Sequence, residues 1–181
     1  TIQSGTFNID SADDSIHTNG TLTINDGDYT IASGDDGIHA DTSIEINNGN
    51  FDIQKSYEGI ESSIITINDG NIQLVSQDDG LNVAGGNDSS ATMGGRAGGG
   101  GFDAVSEGCF LYINGGNIYL NSNGDGLDSN GSIVMTDGIV IVNGPINDGN
   151  GPLDYNGTFD ISGGYLLAVG SSGMAQSASE S

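Results

Sequence analysis

Only two basic residues, Lys55 and Arg96, stand against 25 Asp and Glu in a chain of 181 residues, and the formal net charge is −23. Phosphates and anionic headgroups are held by cationic side chains, so nucleic acid and anionic membrane are excluded as simple electrostatic partners, and cations are the natural ones. Tryptophan is absent and aromatic residues make up 6%, which argues against a broad globular core. The single cysteine, Cys109, rules out an internal disulfide and any thiolate-based metal site; it reads as a small buried residue. Proline occurs twice, and no apolar run reaches the ~18 residues that a membrane-crossing helix requires. No sustained three-to-four apolar periodicity supports helices. No leader segment opens the numbered chain, and Thr1 falls part-way through a repeat, so flanking sequence is expected before it.

Glycine is abundant, at 32 residues, without the every-third-residue pattern of collagen. It marks a repeat instead. A Gly-x-apolar-x-apolar element recurs as Gly5-Thr6-Phe7-Asn8-Ile9, Gly27-Asp28-Tyr29-Thr30-Ile31, Gly49-Asn50-Phe51-Asp52-Ile53 and Gly70-Asn71-Ile72-Gln73-Leu74. It continues from Gly116, Gly138 and Gly164, and successive glycine numbers in the series differ by 22, 22, 21, 46, 22 and 26. The period is one coil of about 22 residues, with one large and one small insertion.

Each coil holds three short alternating segments, the period-2 signal of strands with one buried face. Besides the glycine-led element there is a Leu22-Thr23-Ile24 type, and a short Ile38-His39-Ala40 type. Asn-Asp-Gly, Asn-Asn-Gly or Asn-Gly-Gly corners separate them, where Asn and Gly tolerate positive φ. The fold expected is all-β, a single-domain right-handed parallel β-helix over residues 1–170, the hand resting on analogy with other solenoids of this period. Coils stack about 4.8 Å apart and no coil buries its own apolar face, so stability comes from stacking. A Gly-rich insertion at about 85–108 carries Arg96 and is expected as a surface loop, either a clamp on an anionic ligand or a spacer. The Ser-rich segment 171–181 reads as a tail or cap in which Met174 dips under the last coil.

The third segment is preceded by acid in nearly every coil: Asp13-Asp14, Asp35-Asp36, Glu58, Asp78-Asp79 and Asp125. Stacking aligns Asp14, Asp36, Glu58, Asp79 and Asp125 in one column, and His17, His39, Glu61, Asn82, Asp128 and Asp154 in a second. Two unit charges about 5 Å apart repel by roughly 1 kcal/mol in water and about 3 kcal/mol at an effective dielectric of 20, so a bare column weakens the fold. A hard divalent cation with loose oxygen coordination is the expected remedy, and Ca²⁺ is the cofactor expected. Asp35, Asp36, Glu58, Glu61, Asp78 and Asp79 form one candidate cage; Asp125, Asp128, Asp148 and Asp154, with Asn150, form another. The alternative is a solvated acidic edge that deters strand-edge aggregation. No cysteine or third histidine joins His17 and His39, which therefore read as exposed polar positions rather than zinc ligands. The Asn121–Gly126 run lacks the closing Glu of an EF-hand loop.

The Asp-Asp-Gly-Ile-His-Ala-Asp and Asp-Gly-Leu-Asp-Ser-Asn-Gly coils, the Gly/Met/Arg insertion and the closing Gly170-Ser171-Ser172-Gly173-Met174-Ala175 resemble the bacterial β-helix family called carbohydrate-binding domain-containing. That resemblance implies an extracellular or cell-surface bacterial protein that binds Ca²⁺ at the Asp-Asp-Gly and Asp-Gly-Leu-Asp corners. It further implies acidic plant polysaccharide (polygalacturonate, pectin) and cellulose as partners, and a likeness to polysaccharide lyases. A strongly acidic protein repels polygalacturonate unless bound Ca²⁺ bridges the uronates. Candidate saccharide contacts are Lys55, Tyr57, Arg96, Tyr112 and Tyr119. The outward residues of the later coils, Tyr119, Ile139, Ile141, Tyr165 and Leu167, form either a saccharide platform, a dimer contact or a covered floor. Lys55, read as taking a slot filled by Ser11, Ser33, Ser76 and Ser122 in other coils, is the candidate base of a pectate-lyase-like β-elimination. A noncatalytic structural cell-surface solenoid is the remaining alternative.

Overall fold

In a computed structural model that describes residues 1–84 and 105–179, the chain winds into a β-solenoid with no helix among the described residues. Three parallel sheets form its faces. The seven-stranded sheet contains Thr6–Asp10, Asp28–Ala32, Asn50–Ser56, Asn71–Ser76, Asn117–Ser122, Ile139–Asn143 and Tyr165–Val169. A short-strand sheet contains Ile16–Thr18, Ile38–Ala40, Ile60–Ser62, Leu81–Val83, Leu127–Ser129 and Leu153–Tyr155. The third runs from Thr21–Ile24 through Ser43–Ile46, Ile64–Ile67, Phe110–Ile113 and Ser132–Met135 to Phe159–Ile161. Neighbouring coils pair in register, so Tyr29 lies over Phe7 and Phe51 over Tyr29.

Alternation along each strand delivers the core. Ile31, Ile53, Leu74, Leu120 and Val142 point inward from the first sheet, Ile24, Ile46, Ile67, Ile113 and Met135 from the third, and Ile38, Ile60, Leu81 and Leu127 from the second. Each such side chain, removed from water, contributes about 1.5–3 kcal/mol. Phe7, Tyr29 and Phe51 stack as parallel rings with centroids 4.9 and 4.6 Å apart. Cys109 is buried, as its size suggests.

The glycine repeat has a local cause. Gly27, Gly49, Gly70, Gly116, Gly138 and Gly164 all adopt positive φ, between +84° and +137°. A Cβ on Gly70 would sit 2.8 Å from the Gly49 carbonyl oxygen, and one on Gly116 2.8 Å from that of Gly70. Handedness of the backbone and coil-to-coil approach therefore both demand glycine. The corner asparagines do something else. Among the described residues no non-glycine has positive φ; Asn25, Asn47, Asn68 and Asn114 instead form an amide ladder, with Nδ2 of each donating to Oδ1 of its predecessor at 2.8–2.9 Å. Asn50, Asn71 and Asn117 form a second ladder that begins on Asp28. Asn47→Ala deletes two of these bonds and strands two amide partners, so a loss of about 2 kcal/mol is expected from the shift of its urea midpoint.

Two local expectations need correction. Lys55 does not take the serine slot: the strand bulges between Ile53 and Lys55, Lys55 pairs with Ala32, and Ser56 pairs with Ser76. One residue is gained before the corner and one lost within it, so the overall spacing conceals the slip. Nor does Met174 cap the tube, since it is 47% exposed. The cap is polar: Ser179 N–H donates to the Phe159 carbonyl at 2.8 Å, the Tyr155 hydroxyl to the Ser177 carbonyl at 2.6 Å, and Ala178 packs on the core. The insertion expected at 85–108, with Arg96, lies outside the described residues except for 105–108.

Candidate functional site

The seven-stranded sheet ends in a buried serine in several coils, Ser33, Ser56, Ser76 and Ser122. The chain then turns through the acid corner into the short-strand sheet. Register confirms the second column pair by pair: His17 on His39, His39 on Glu61, Glu61 on Asn82, Asn82 on Asp128 and Asp128 on Asp154. In the first column, one carboxylate oxygen commonly serves the backbone of the next coil. Asp14 Oδ1 accepts from Asp36 N–H at 3.0 Å, Asp36 Oδ1 from Glu58 N–H at 3.3 Å, Asp79 Oδ1 from Asp125 N–H at 2.6 Å and Asp125 Oδ1 from Gly151 N–H at 2.5 Å. Acid at this corner thus satisfies amides that no strand pairs, while its second oxygen is left for other work.

The corner is not a solvated edge. Asp35, Asp36, Glu58 and Glu61 are buried, and Asp36 and His39 have no exposed surface. Burial, with Glu61, Asp14 and Asp35 alongside, pushes Asp36 up to about 10. Burial and the charge of Asp36 raise Glu58 to about 8, against a hydrogen bond from Asn82 that lowers it. Burial followed by the Asp125 and Asp154 charges raises Asp128 to about 7, and burial with Asp154 and Asp78 raises Asp125 to about 6. Asp79 is raised well above the carboxylate range by burial and then by Asp128. These carboxyls either hold protons or share a cation.

The carboxylates gather in two places rather than in the two cages expected. Asp79, Asp125 and Asp128 converge with ligand oxygens within 4.8 Å of one another, and Asp154 and Asp78 act on the same group electrostatically. Asp148 does not join it. That residue is exposed on the connection that follows the seven-stranded sheet, and its carboxylate accepts from the Ser171 hydroxyl of the tail. Asp36 and Glu61 converge with His39, whereas Asp35 groups with Asp13 and Asp14. Glu58 accepts from the Asn82 side chain, and Asp78 from the Tyr57 hydroxyl, which with burial pushes that phenol up to about 12. His39, read from sequence as exposed, is buried in the cluster; His17 is exposed and its ring lies 4.9 Å from that of His39. Asp13 and Asp14, aligned by the period but left out of the expected cages, and His17 and His39, set aside as ligands, all belong to these groups. Their signal was their phase in the coil, which places imidazoles directly beneath carboxylates.

The outer face of the seven-stranded sheet carries a groove of about 700 Å³, lined by Asp28, Thr30, Asn50, Asp52, Asn71, Gln73, Asn117 and Tyr119 among others. Carboxylate, amide and hydroxyl groups at alternate positions can pair with sugar hydroxyls, and Tyr119 offers an exposed ring at one end. Of the candidate saccharide contacts among the described residues only Tyr119 lines it, and Arg96 lies outside them. Tyr112 is on the third sheet, stacked on Phe110 with centroids 5.6 Å apart. Tyr57 is at the acid corner, and Lys55 is exposed at the bulge, three residues along the strand from Asp52. Ile139, Tyr165 and Leu167 are exposed on the same sheet beyond Tyr119, and the described part of the tail does not cover them.

Residues 1–37 match the family model described as carbohydrate-binding domain-containing protein. The matched stretch contains the first glycine-led strand, the Asp13-Asp14 corner with His17, and Asp35-Asp36-Gly37. No curated protein and no solved structure matches the chain.

Proposed function

We propose that this solenoid is a noncatalytic, calcium-dependent binder of acidic polysaccharide, of the polygalacturonate class, acting outside the cell or at its surface. The observation that carries the saccharide half is the groove, whose Asp28, Asn50, Asp52, Asn71, Gln73 and Asn117 repeat hydrogen-bonding groups at strand spacing beside the Tyr119 ring. The family match over residues 1–37 supports a carbohydrate ligand.

Calcium suits the all-oxygen cluster of Asp79, Asp125 and Asp128. Ca²⁺ takes six to eight oxygens in flexible geometry, and a bound ion would supply the positive charge that lets these raised carboxyls ionise. Asp28 and Asp52 on the groove floor would repel uronate carboxylates, so an acidic glycan needs cations between itself and the sheet. Affinity electrophoresis in gels containing polygalacturonate tests this. Retardation in Ca²⁺ that vanishes in EDTA is the expected result. Retardation in hydroxyethylcellulose that EDTA leaves intact would instead mark recognition of a neutral glycan by the groove, and migration unchanged in every gel would contradict saccharide binding.

One observation favours a second reading, a lyase. Lys55 sits on a β-bulge, a device that re-aims side chains, on the same outward face as the groove. In β-elimination Lys55 would take the C5 proton while the electron pair forms the C4–C5 double bond and the glycosidic oxygen leaves. Ultraviolet detection of unsaturated uronate, with Lys55→Ala as control, distinguishes the two: the binder reading expects no product from either protein.

A further inference from the structure

The geometry points to a second kind of metal site, built on His39, that takes a first-row transition ion such as Zn²⁺ rather than Ca²⁺. His39 has no exposed side-chain surface, and its Nδ1 lies 3.4 Å from Asp14 Oδ2, 3.5 Å from Asp36 Oδ2 and 3.8 Å from Glu61 Oε2. Neither ring nitrogen makes a hydrogen bond among the described residues, and neither does Asp36 Oδ2. An imidazole buried without a hydrogen bond loses the partners it had in water, and native proteins seldom leave such a group so.

The spacings are those of ligands around an ion. Zinc bound to nitrogen and oxygen at about 2.0–2.2 Å gives a tetrahedron with edges of about 3.4 Å. Nδ1 of His39 stands at about that separation from Asp14 Oδ2 on one side and from Asp36 Oδ2 on the other, too long for hydrogen bonds. His17 completes the arrangement on the solvent side. Its Nδ1 lies 2.6 Å from the same Asp14 oxygen, and its side chain is 36% exposed, giving an ion a route in and steadying that carboxylate. Overlapping groups, Asp14–His17–His39 and Asp36–His39–Glu61, thus share one imidazole.

Donor chemistry separates this cluster from the one at Asp79, Asp125 and Asp128. Imidazole nitrogen suits Zn²⁺, Cu²⁺ and Ni²⁺, whereas a purely carboxylate set suits Ca²⁺ and Mn²⁺. The chain would therefore brace two parts of one corner column with different ions. The His39 site lies in the early coils, away from Tyr119 and the later acid cluster, so its role is structural, tying the turn of Asp36 and His39 to a neighbouring turn through Glu61 on one side or Asp14 on the other.

The test uses the whole chain, stripped with EDTA and titrated with Zn²⁺ by calorimetry, followed by Co²⁺ as an optical probe. Wild type is expected to take up Zn²⁺ at micromolar concentration and to develop visible bands of low-coordinate Co²⁺. His39→Gln should weaken Zn²⁺ binding roughly 100-fold or more, since even partners outside the ligand shell are worth 10–100-fold. His17→Gln, at an exposed position, should weaken it about tenfold and shift the Co²⁺ bands. Asp160→Asn, on the outer face of the third sheet, serves as the charge control and should bind as wild type. Absence of Zn²⁺ uptake by the wild type, or uptake that neither histidine variant weakens, overturns the assignment.

Discussion

Gly59→Ala is expected to lower stability by about 3 kcal/mol or more, enough to leave the chain largely unfolded in mild denaturant. Gly59 belongs to a second glycine column, Gly37, Gly59, Gly80 and Gly126, that follows the acid in each corner. A Cβ on Gly59 would overlap Leu74 Cδ1 and the Gly80 carbonyl oxygen. Neither obstacle can withdraw. Leu74 is fully buried, and the Gly80 oxygen accepts from Ile60 N–H at 3.1 Å in the ladder that joins the coils. Relieving the overlap would separate two turns or force Leu74 off its rotamer, and overpacking of that kind costs about 1–3 kcal/mol, occasionally more. Gly108→Ala is the control, because a Cβ there meets nothing within 4 Å among the described residues; its effect should stay within about 0.5 kcal/mol. Urea midpoints of the two variants compared with wild type give the answer, and equal midpoints would mean that the corners are looser than drawn.

The second large effect concerns protons. Asp36 at about 10, Glu58 at about 8, Asp128 at about 7 and Asp125 at about 6 all hold protons more firmly in the folded chain than in the unfolded one, where carboxyls titrate near 4. Below about pH 4 both states are protonated and these groups cost the fold nothing. As pH rises through the window from about 4 to each folded value, the unfolded chain loses its protons first and is favoured, and above that value the penalty is complete. Metal-free protein in EDTA should therefore be more stable at pH 5 than at pH 8. Each such group contributes about 1 kcal/mol per pH unit within its window, several kcal/mol together. Asp36→Asn keeps an oxygen for Glu58 N–H and removes the carboxyl that must take up a proton on folding, so in EDTA at pH 8 it should melt higher than wild type, with a smaller difference at pH 5. Should wild type in EDTA melt at one temperature throughout, the corner carboxyls are not the buried groups described.

The coil was legible because its causes are local. Alternation along Ile44-Glu45-Ile46 or Ile72-Gln73-Leu74 dictates which side chains face inward, and glycine recurs where positive φ and close approach coincide. The aligned acid and histidine columns followed from the period alone. What failed to show depends on features that a period does not encode. Lys55 was misplaced because a bulge and a deletion cancel within one coil. His39 was misjudged because burial at the corner comes from turns folding over it, and lone histidines carry no pattern of their own. Asp148 was drawn into a cage because it lies near Asp125 in phase, yet a longer connection there carries it out to the tail. The groove arises from the set of adjacent outer side chains across four coils, and only the Tyr119 end of it announced itself.

The proposed calcium site requires corner carboxyls that keep their protons until a cation replaces them. Its most direct test is a Ca²⁺ titration of EDTA-stripped protein near pH 7 in very dilute buffer, with free proton and bound Ca²⁺ followed together. Uptake of Ca²⁺ with release of about one proton or more per ion is the result predicted, since Asp128 and its neighbours must give up protons to become ligands. Ca²⁺ that fails to bind, or that binds without releasing protons, would contradict it.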